Sequence, residues 1–297
     1  GAAAHADPRY LRVPLQPLQD EAVIEVWRAA GPVSHGRQGE VAWASDGRLL
    51  FGAVEVAEPD GGDIEAAARQ AYLCMGAFLA AAPAGPLLRV WNYMDATTRG
   101  EGDEERDRRF CVGRVAGLGQ LDATRLPAAT AIGRYDGRRV LQVYWLAAAG
   151  PGTPLENPRQ VSAYRYPRQY GPQPPSFARA MLPPTGSDMP LLLSGTAAIV
   201  GHASQHAGSV EAQVDETLAN IGVLIASARR IRSSLPPAPD TATPLKAYVS
   251  HPGDAAAVAA RLDQHLGRQV PRLLLHAQVC RRELLVEIDG AHGVPLV

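Results

Sequence analysis

The sequence predicts an α/β (α+β) fold made of two fused ββαβαββ units, residues 1–150 and 151–297, packed as a pseudo-symmetric pair. Three observations carry this. At 297 residues the chain exceeds one average domain. Short apolar runs alternate with polar residues at strand period, while longer ones repeat at helical spacing. The order of these elements in the first half returns in the second.

Residues 40–44 and 49–56 read as strands joined through Ser45-Asp46-Gly47. Asp63 is placed to cap a helix whose face is Ile64, Ala67, Ala71, Met75 and Phe78, ended by Pro83 and Gly85. A strand at 87–92 and a charged helix at 104–118 follow. Strands at 130–135 and 139–146, around the turn Asp136-Gly137, close the first unit. In the second unit, strand-like segments near 160–166 and 191–200 precede a helix from Ser209 to about Ile231. Its apolar face is Val210, Val214, Leu218, Ile221 and Leu224. A proline-rich linker over 235–244 leads to a strand at 245–250 and a helix capped by Asp254 and ended at Gly267. Strands at 272–276 and 284–288 finish the chain. Two sheets, each covered by its own helices, should then meet across a shared surface, and clefts between such halves favour ligands. This element order resembles the small α/β fold of the RidA (YjgF) superfamily, in two fused copies.

Composition excludes several function classes. A net charge of −1 argues against a dedicated nucleic-acid or anionic-membrane surface. Cys74, Cys111 and Cys280 form neither a disulfide framework nor a CxxC metal site, which fits a reducing cytoplasm. No apolar run reaches membrane-spanning length, and residues 1–5 lack the pattern of a signal peptide, so a cytoplasmic location is expected. His202 and His206 sit four apart without the glutamate of an HExxH motif between them, and a structural loop role is favoured over a metal. The glycines at 117 and 119 lack the remainder of a dinucleotide fingerprint, and neither a Walker nor a GxSxG pattern occurs. No metal or cofactor is expected.

Residues 157–180 are the most unusual segment. Arg159, Arg165, Arg168 and Arg179 alternate with Tyr164, Tyr166, Tyr170 and Phe177, with no acidic residue among them. Such local positive charge in a nearly neutral chain points to an anionic ligand, because guanidinium forks grip carboxylates bidentately. Composition by itself fits a solvated loop of arginines stacked on tyrosines slightly better.

Six segments resemble motifs of the chorismatase family, in the family's order. They are FCVGR (110–114), PAATAIG (127–133), YWLA (144–147), ENPRQVSAYRYPRQYGP (156–172), SGTAAIVGH (194–202) and CRRELLVEIDG (280–290). The similarity runs from about Trp91 onward, and roughly the first 85 residues add little. It implies a cofactor-free enzyme that removes the enolpyruvyl group of chorismate as pyruvate. The ring product is 3-hydroxybenzoate in one branch and a dihydroxycyclohexadiene carboxylate in the other. The substrate's two carboxylates account for the arginines. By position in the motifs, Arg114, Tyr166 and Arg179 are the expected anchors, while Arg159, Arg165 and Arg168 stay outside that set.

Glu287 falls where the family has its catalytic carboxylate. Protonating the methylene carbon of the enol ether at neutral pH demands an acid whose pKa is raised by burial or a nearby anion. Alternation along 284–288 puts Glu287 on the face of Leu285, which fits a partly buried acid, although an edge-strand glutamate would have the same pattern. Cys280 and Gly195 look like the pair that accompanies 3-hydroxybenzoate formation. The glycine leaves room for the ring to shift. Cys280 is expected to assist an intramolecular attack before aromatisation, with Arg281 and Arg282 able to lower its pKa if they point inward. A lone cysteine is otherwise usually a small buried hydrophobe.

One departure stands out. Asp107 occupies a position where the family often has a substrate-contacting tyrosine, and a carboxylate there would repel a dianion. The sequence places the pocket in the second half. Rival readings are attack by water, a RidA-like imine hydrolase, and a non-catalytic binder of aromatic acids. A monomer and a homotrimer are both compatible with the chain.

Overall fold

The computed structural model describes residues 7–19, 23–59, 62–82, 85–119 and 122–295. Pro83, expected to end the first helix, and the residues at the chain start lie outside them. Two sheets dominate. The first has the order β2-β3-β4-β7-β5-β6, where β2 is Ser34–Gln38, β3 Val41–Ser45, β4 Leu49–Ala57, β5 Leu87–Asp95, β6 Ala128–Arg134 and β7 Val140–Ala148. The second has the order β1-β14-β13-β15-β10-β9-β8. Here β1 is Gln16–Pro17, β8 Thr153–Leu155, β9 Ala180–Leu182, β10 Leu191–Ala197, β13 Leu245–Val249, β14 Arg272–His276 and β15 Val286–His292. A small hairpin, β11 (Ile199–Val200) and β12 (Ala203–Ser204), stands apart.

The expected repetition is present strand by strand. The run β3-β4-β7-β5-β6 matches β9-β10-β15-β13-β14, with the same antiparallel pairs and one parallel pair at the same place in each. A parallel pair needs a long crossover, which a helix supplies. In the first unit α1 (Ile64–Ala81) links β4 to β5 and α2 (Arg106–Leu118) links β5 to β6. In the second, α3 (Val210–Arg229) and α4 (Ala255–Leu266) do the same.

Burial follows the alternation of the strands. One face of the first sheet packs Val54, Val143 and Trp145 against Met75 and Phe110 of the helices. One face of the second packs Leu193, Ala247 and Ile288 against Val214 and Leu224. The opposite faces meet each other through Trp91, Tyr93, Tyr144, Leu192 and Tyr248. The order of layers is therefore helix, sheet, sheet, helix. Asp63 caps α1 by accepting from the Ala66 amide at 3.1 Å, and Ser209 caps α3 through the Ala212 amide at 3.3 Å. The helices α1 and α2 touch closely, because a Cβ at Gly113 would lie 2.8 Å from the carbonyl carbon of Glu65.

Three local expectations fail for identifiable reasons. The segment 160–166 is a loop with a 3₁₀ turn at Ala163–Arg165, bounded by Pro158 and Pro167, whose rings exclude regular pairing. The strands that stand in its place, β8 and β9, are too short to carry an alternation pattern. The Asp254 side chain makes no capping hydrogen bond, and a 3₁₀ turn over Pro252–Asp254 feeds straight into α4. The last strand starts at Val286 and runs to His292, so Leu285 lies before it and packs on the helix-side core instead of sharing a face with Glu287.

Candidate active site

The site begins with the alternation of β15. Val286 and Ile288 point into the helix-side core, which turns Glu287 and Asp289 toward the first sheet. Glu287 is only 6% exposed, and its carboxyl makes no hydrogen bond among the described residues. Its pKa is pushed up to about 8, by burial first and then by the negative charges of Asp289 and Asp107, against the opposing pull of Arg89 and Arg179. It is therefore a carboxylic acid that still carries its proton near neutrality.

Gly195 faces this acid from β10, at an irregularity in the register between β10 and β15. A Cβ at this position would overlap Oε1 of Glu287 and lie 2.9 Å from its Cδ. The missing side chain makes room for the acid itself. The Gly195 amide donates to Oγ1 of Thr130 at 2.9 Å, which ties the second unit to β6 of the first.

Arg179, just before β9, is 4% exposed. Its Nη2 donates to the Val161 carbonyl at 2.9 Å and to the Tyr166 hydroxyl at 2.7 Å. The guanidinium also lies between the rings of Tyr166 and Phe177, at 5.5 and 5.2 Å. Arg114, on α2, donates to the Ser176 carbonyl at 2.9 Å and lies 5.2 Å from the ring centroid of Tyr72. Both arginines keep a buried Nε–H without a partner among the described residues. Such donors are costly inside a protein, and an incoming carboxylate satisfies them.

Cys280 and Asp107 stand within electrostatic reach of Glu287. Burial, Asp107 and Glu287 push the Cys280 thiol well up, and Arg281 opposes this only in part. The arginine neighbours thus do not make it a thiolate. Arg281 lies 3.9 Å over the Tyr170 ring and donates to the His202 carbonyl, while Arg282 turns outward to the carbonyls of Thr98 and Gly100. The Asp107 carboxyl is raised to about 7 by burial and then by Glu105, with Arg281, Arg108 and Arg114 pulling the other way. Near neutrality it is close to half protonated, which softens the repulsion expected of it.

The other arginines of the 157–180 segment are engaged elsewhere. Arg159 pairs with Glu216 and Asn220, Arg168 pairs with Asp103, and Arg165 lies over the Tyr164 ring. His202 meets the Tyr170 hydroxyl and His206 meets Glu216, so the two imidazoles serve different partners.

Sequence reasoning overlooked Arg89, Thr130 and Asp289. Thr130 lies within the PAATAIG motif and Asp289 lies two residues beyond Glu287. Arg89, a cation inside the apolar strand LLRVWNYMD, was the visible anomaly. Residues of both units, and not of the second alone, make up the candidate site: Asp107, Arg114 and Thr130 come from the first, and Tyr166, Arg179, Gly195, Cys280 and Glu287 from the second.

Known proteins resemble this chain in sequence and fold. The family described as chorismatase FkbO/Hyg5-like, N-terminal, matches residues 25–147. A chorismatase of Streptomyces rapamycinicus is 37% identical over 280 residues, which cover 92% of this chain and 83% of that protein. The chain belongs to the chorismatase family. A 3-hydroxybenzoate synthase of Streptomyces hygroscopicus is 33% identical over 280 residues, covering 91% of this chain and 81% of the relative. A crystal structure of a chorismatase superposes with a TM-score of 0.79 at 34% identity, over 87% of this chain and 79% of that one. The family suggested by the six motifs is thus the family found, and its α/β fold is the fold seen. Among the described residues no helix is long and apolar enough to cross a membrane.

Proposed function

We propose that this chain is a cytoplasmic chorismatase that converts chorismate to 3-hydroxybenzoate and pyruvate. The observation that carries the reading is a buried, unbonded Glu287 carboxyl with its pKa near 8, facing Gly195 and flanked by Arg179. Arg114 and Arg179 hold the two carboxylates of the substrate with their free Nε–H groups, and Tyr166, fixed by Arg179, borders the ring.

Glu287 delivers its proton to the methylene carbon of the enol ether. This leaves an oxocarbenium-like centre on the enolpyruvyl carbon and weakens the bond from its oxygen to the ring. The neighbouring ring hydroxyl, losing its proton, attacks the ether-bearing ring carbon in place of water, and the ether C–O bond breaks with its pair going to pyruvate. The ring epoxide so formed opens at its older C–O bond, and loss of a ring proton with reprotonation of the oxygen restores aromaticity. One proton leaves Glu287 and one is released, so the products contain all the atoms of chorismate and no co-reactant is consumed. Cys280, a neutral thiol beside Glu287, borders the ring and favours the intramolecular course.

The experiment is incubation with chorismate, following pyruvate release and separating the ring products by chromatography. Pyruvate with 3-hydroxybenzoate in equal amounts supports the reading. Pyruvate with the dihydrodiol keeps the acid but removes the assigned branch, and no pyruvate removes the activity.

A further inference from the structure

Asp289 is fully buried, and four donors converge on its Oδ2. They are Arg89 Nη2 at 3.0 Å, Trp91 Nε1 at 3.1 Å, Thr130 Oγ1 at 2.8 Å and the Tyr248 hydroxyl at 3.2 Å. Three of the four belong to the first unit. Its other oxygen, Oδ1, makes no hydrogen bond among the described residues and faces the Lys246 ammonium at 3.7 Å. Arg89 is likewise fully buried, and its Nη2 also reaches Thr130 Oγ1, at 2.5 Å. A buried ion pair is a costly way to join two sheets, because well-packed apolar residues serve as well or better. Registering the two units is therefore a weak explanation for it.

Its location offers a better one. Asp289 lies two residues from Glu287 on the same face of β15, and the two carboxyls share a buried space. Thr130, which donates to Asp289, accepts the amide of Gly195, the residue whose missing side chain admits the Glu287 carboxyl. We propose that Asp289 is a positioning residue of the reaction. Its fixed anion keeps the proton on Glu287 until substrate arrives, and its bond to Thr130 holds the Gly195 backbone against that acid. The inference rests on Glu287 being the proton donor.

The other groups facing Glu287 do not replace this role. Asp107 reaches it from α2, but is itself close to half neutral near pH 7. Arg89 from β5 and Arg179 ahead of β9 favour the ionised form. Cys280 is a neutral thiol, and Tyr248 of β13, paired with Glu287 in register, is held as a neutral phenol by burial. Lys246, on the same strand, faces Asp289. Asp289 is the strongest anionic influence on the acid.

The test is Asp289→Asn, which keeps the shape and an acceptor for Thr130 while removing the charge. In the whole protein with chorismate, the alkaline limb of kcat/KM should move down by about one pH unit or more. Activity at about pH 8 then falls roughly fivefold or more relative to wild type, while activity at about pH 5.5 changes less than about threefold. A residue that only held the two units together would lower activity at every pH and leave the limb where it was. Lys246→Met, at a partly exposed position, leaves Asp289 less neutralised and should move the limb upward.

The Glu287 titration is also read directly, by carbonyl infrared or carbon NMR of the resting protein labelled in glutamate, with Glu287→Gln as the assignment control. A downward shift in Asp289→Asn and an upward one in Lys246→Met support the proposal, and they do so even where wild type releases no pyruvate and only the assigned activity is lost. Unmoved titrations in both variants overturn it.

Discussion

A single methyl group decides where the acid of this enzyme sits. Because a Cβ at residue 195 would occupy the space of the Glu287 carboxyl, Gly195→Ala should displace that carboxyl, the proton donor proposed for the enol ether. Pyruvate release should slow by about 10- to 100-fold, with a smaller aromatic share of the product, as read by chromatography. An unchanged rate and product would mean that the glycine does not set the position of the acid. Glu287→Gln removes the proposed proton donor, and pyruvate release should drop by about 100-fold or more. In the wild type the acid form is lost as pH rises through about 8, so kcat/KM should decline on that side. Asp107 belongs to the same scale. Its carboxyl titrates near 7 and becomes a full anion above that, so KM for the dianionic substrate should rise from about pH 7 upward. In Asp107→Asn that rise should disappear, and a KM curve that kept its shape would remove Asp107 from the pocket.

At the scale of elements, α2 is both a structural and a functional part. It carries Asp107 and Arg114 and rests on α1 through Gly113, where any side chain would press on the Glu65 carbonyl. Gly113→Ala should therefore push the helices apart, costing about 1–3 kcal/mol in urea unfolding and raising KM through a displaced Arg114. A fully stable variant with normal KM would show that the contact is not needed. The helices were the most legible elements. Their apolar faces recur over many residues, and Asp63 acts as the cap its position suggested, although Asp254 does not. The strands of 153–155 and 180–182 were not legible, since three residues cannot establish an alternation. The tyrosine-rich segment looked strand-like because aromatic residues favour strands, yet Pro158 and Pro167 made it a loop, and that loop brings Tyr166 to Arg179.

For the whole molecule, two buried acids tie stability to pH. Glu287 and Asp107 have ordinary values of 4.5 and 3.8 and folded values near 8 and 7. Between these limits the folded chain holds protons that the unfolded chain has released. The free energy of unfolding should then decrease as pH rises from about 4 to about 8 and level off beyond, with a slope of at most about 1.4 kcal/mol per pH unit for each group. Glu287→Gln should flatten the upper part of this slope and gain about 1–3 kcal/mol at about pH 8 in urea titrations. Stability that stays level across this range in wild type would mean that the two acids do not keep their protons in the folded state.

The sequence by itself determined the class of the fold, its duplication and the family, and it named most of the residues proposed for the site. Period, caps and motif order are local properties, and each can be read along one stretch of chain. Contacts between distant stretches are another matter. That Gly195 makes room for Glu287, that the Cys280 thiol is held neutral despite two neighbouring arginines, and that Arg89, Thr130 and Asp289 form one network across residues 89 to 289 were decided by the tertiary structure. Burial and the field of nearby charges set the proton affinity of an acid, and both depend on which residues the packing of two sheets brings face to face.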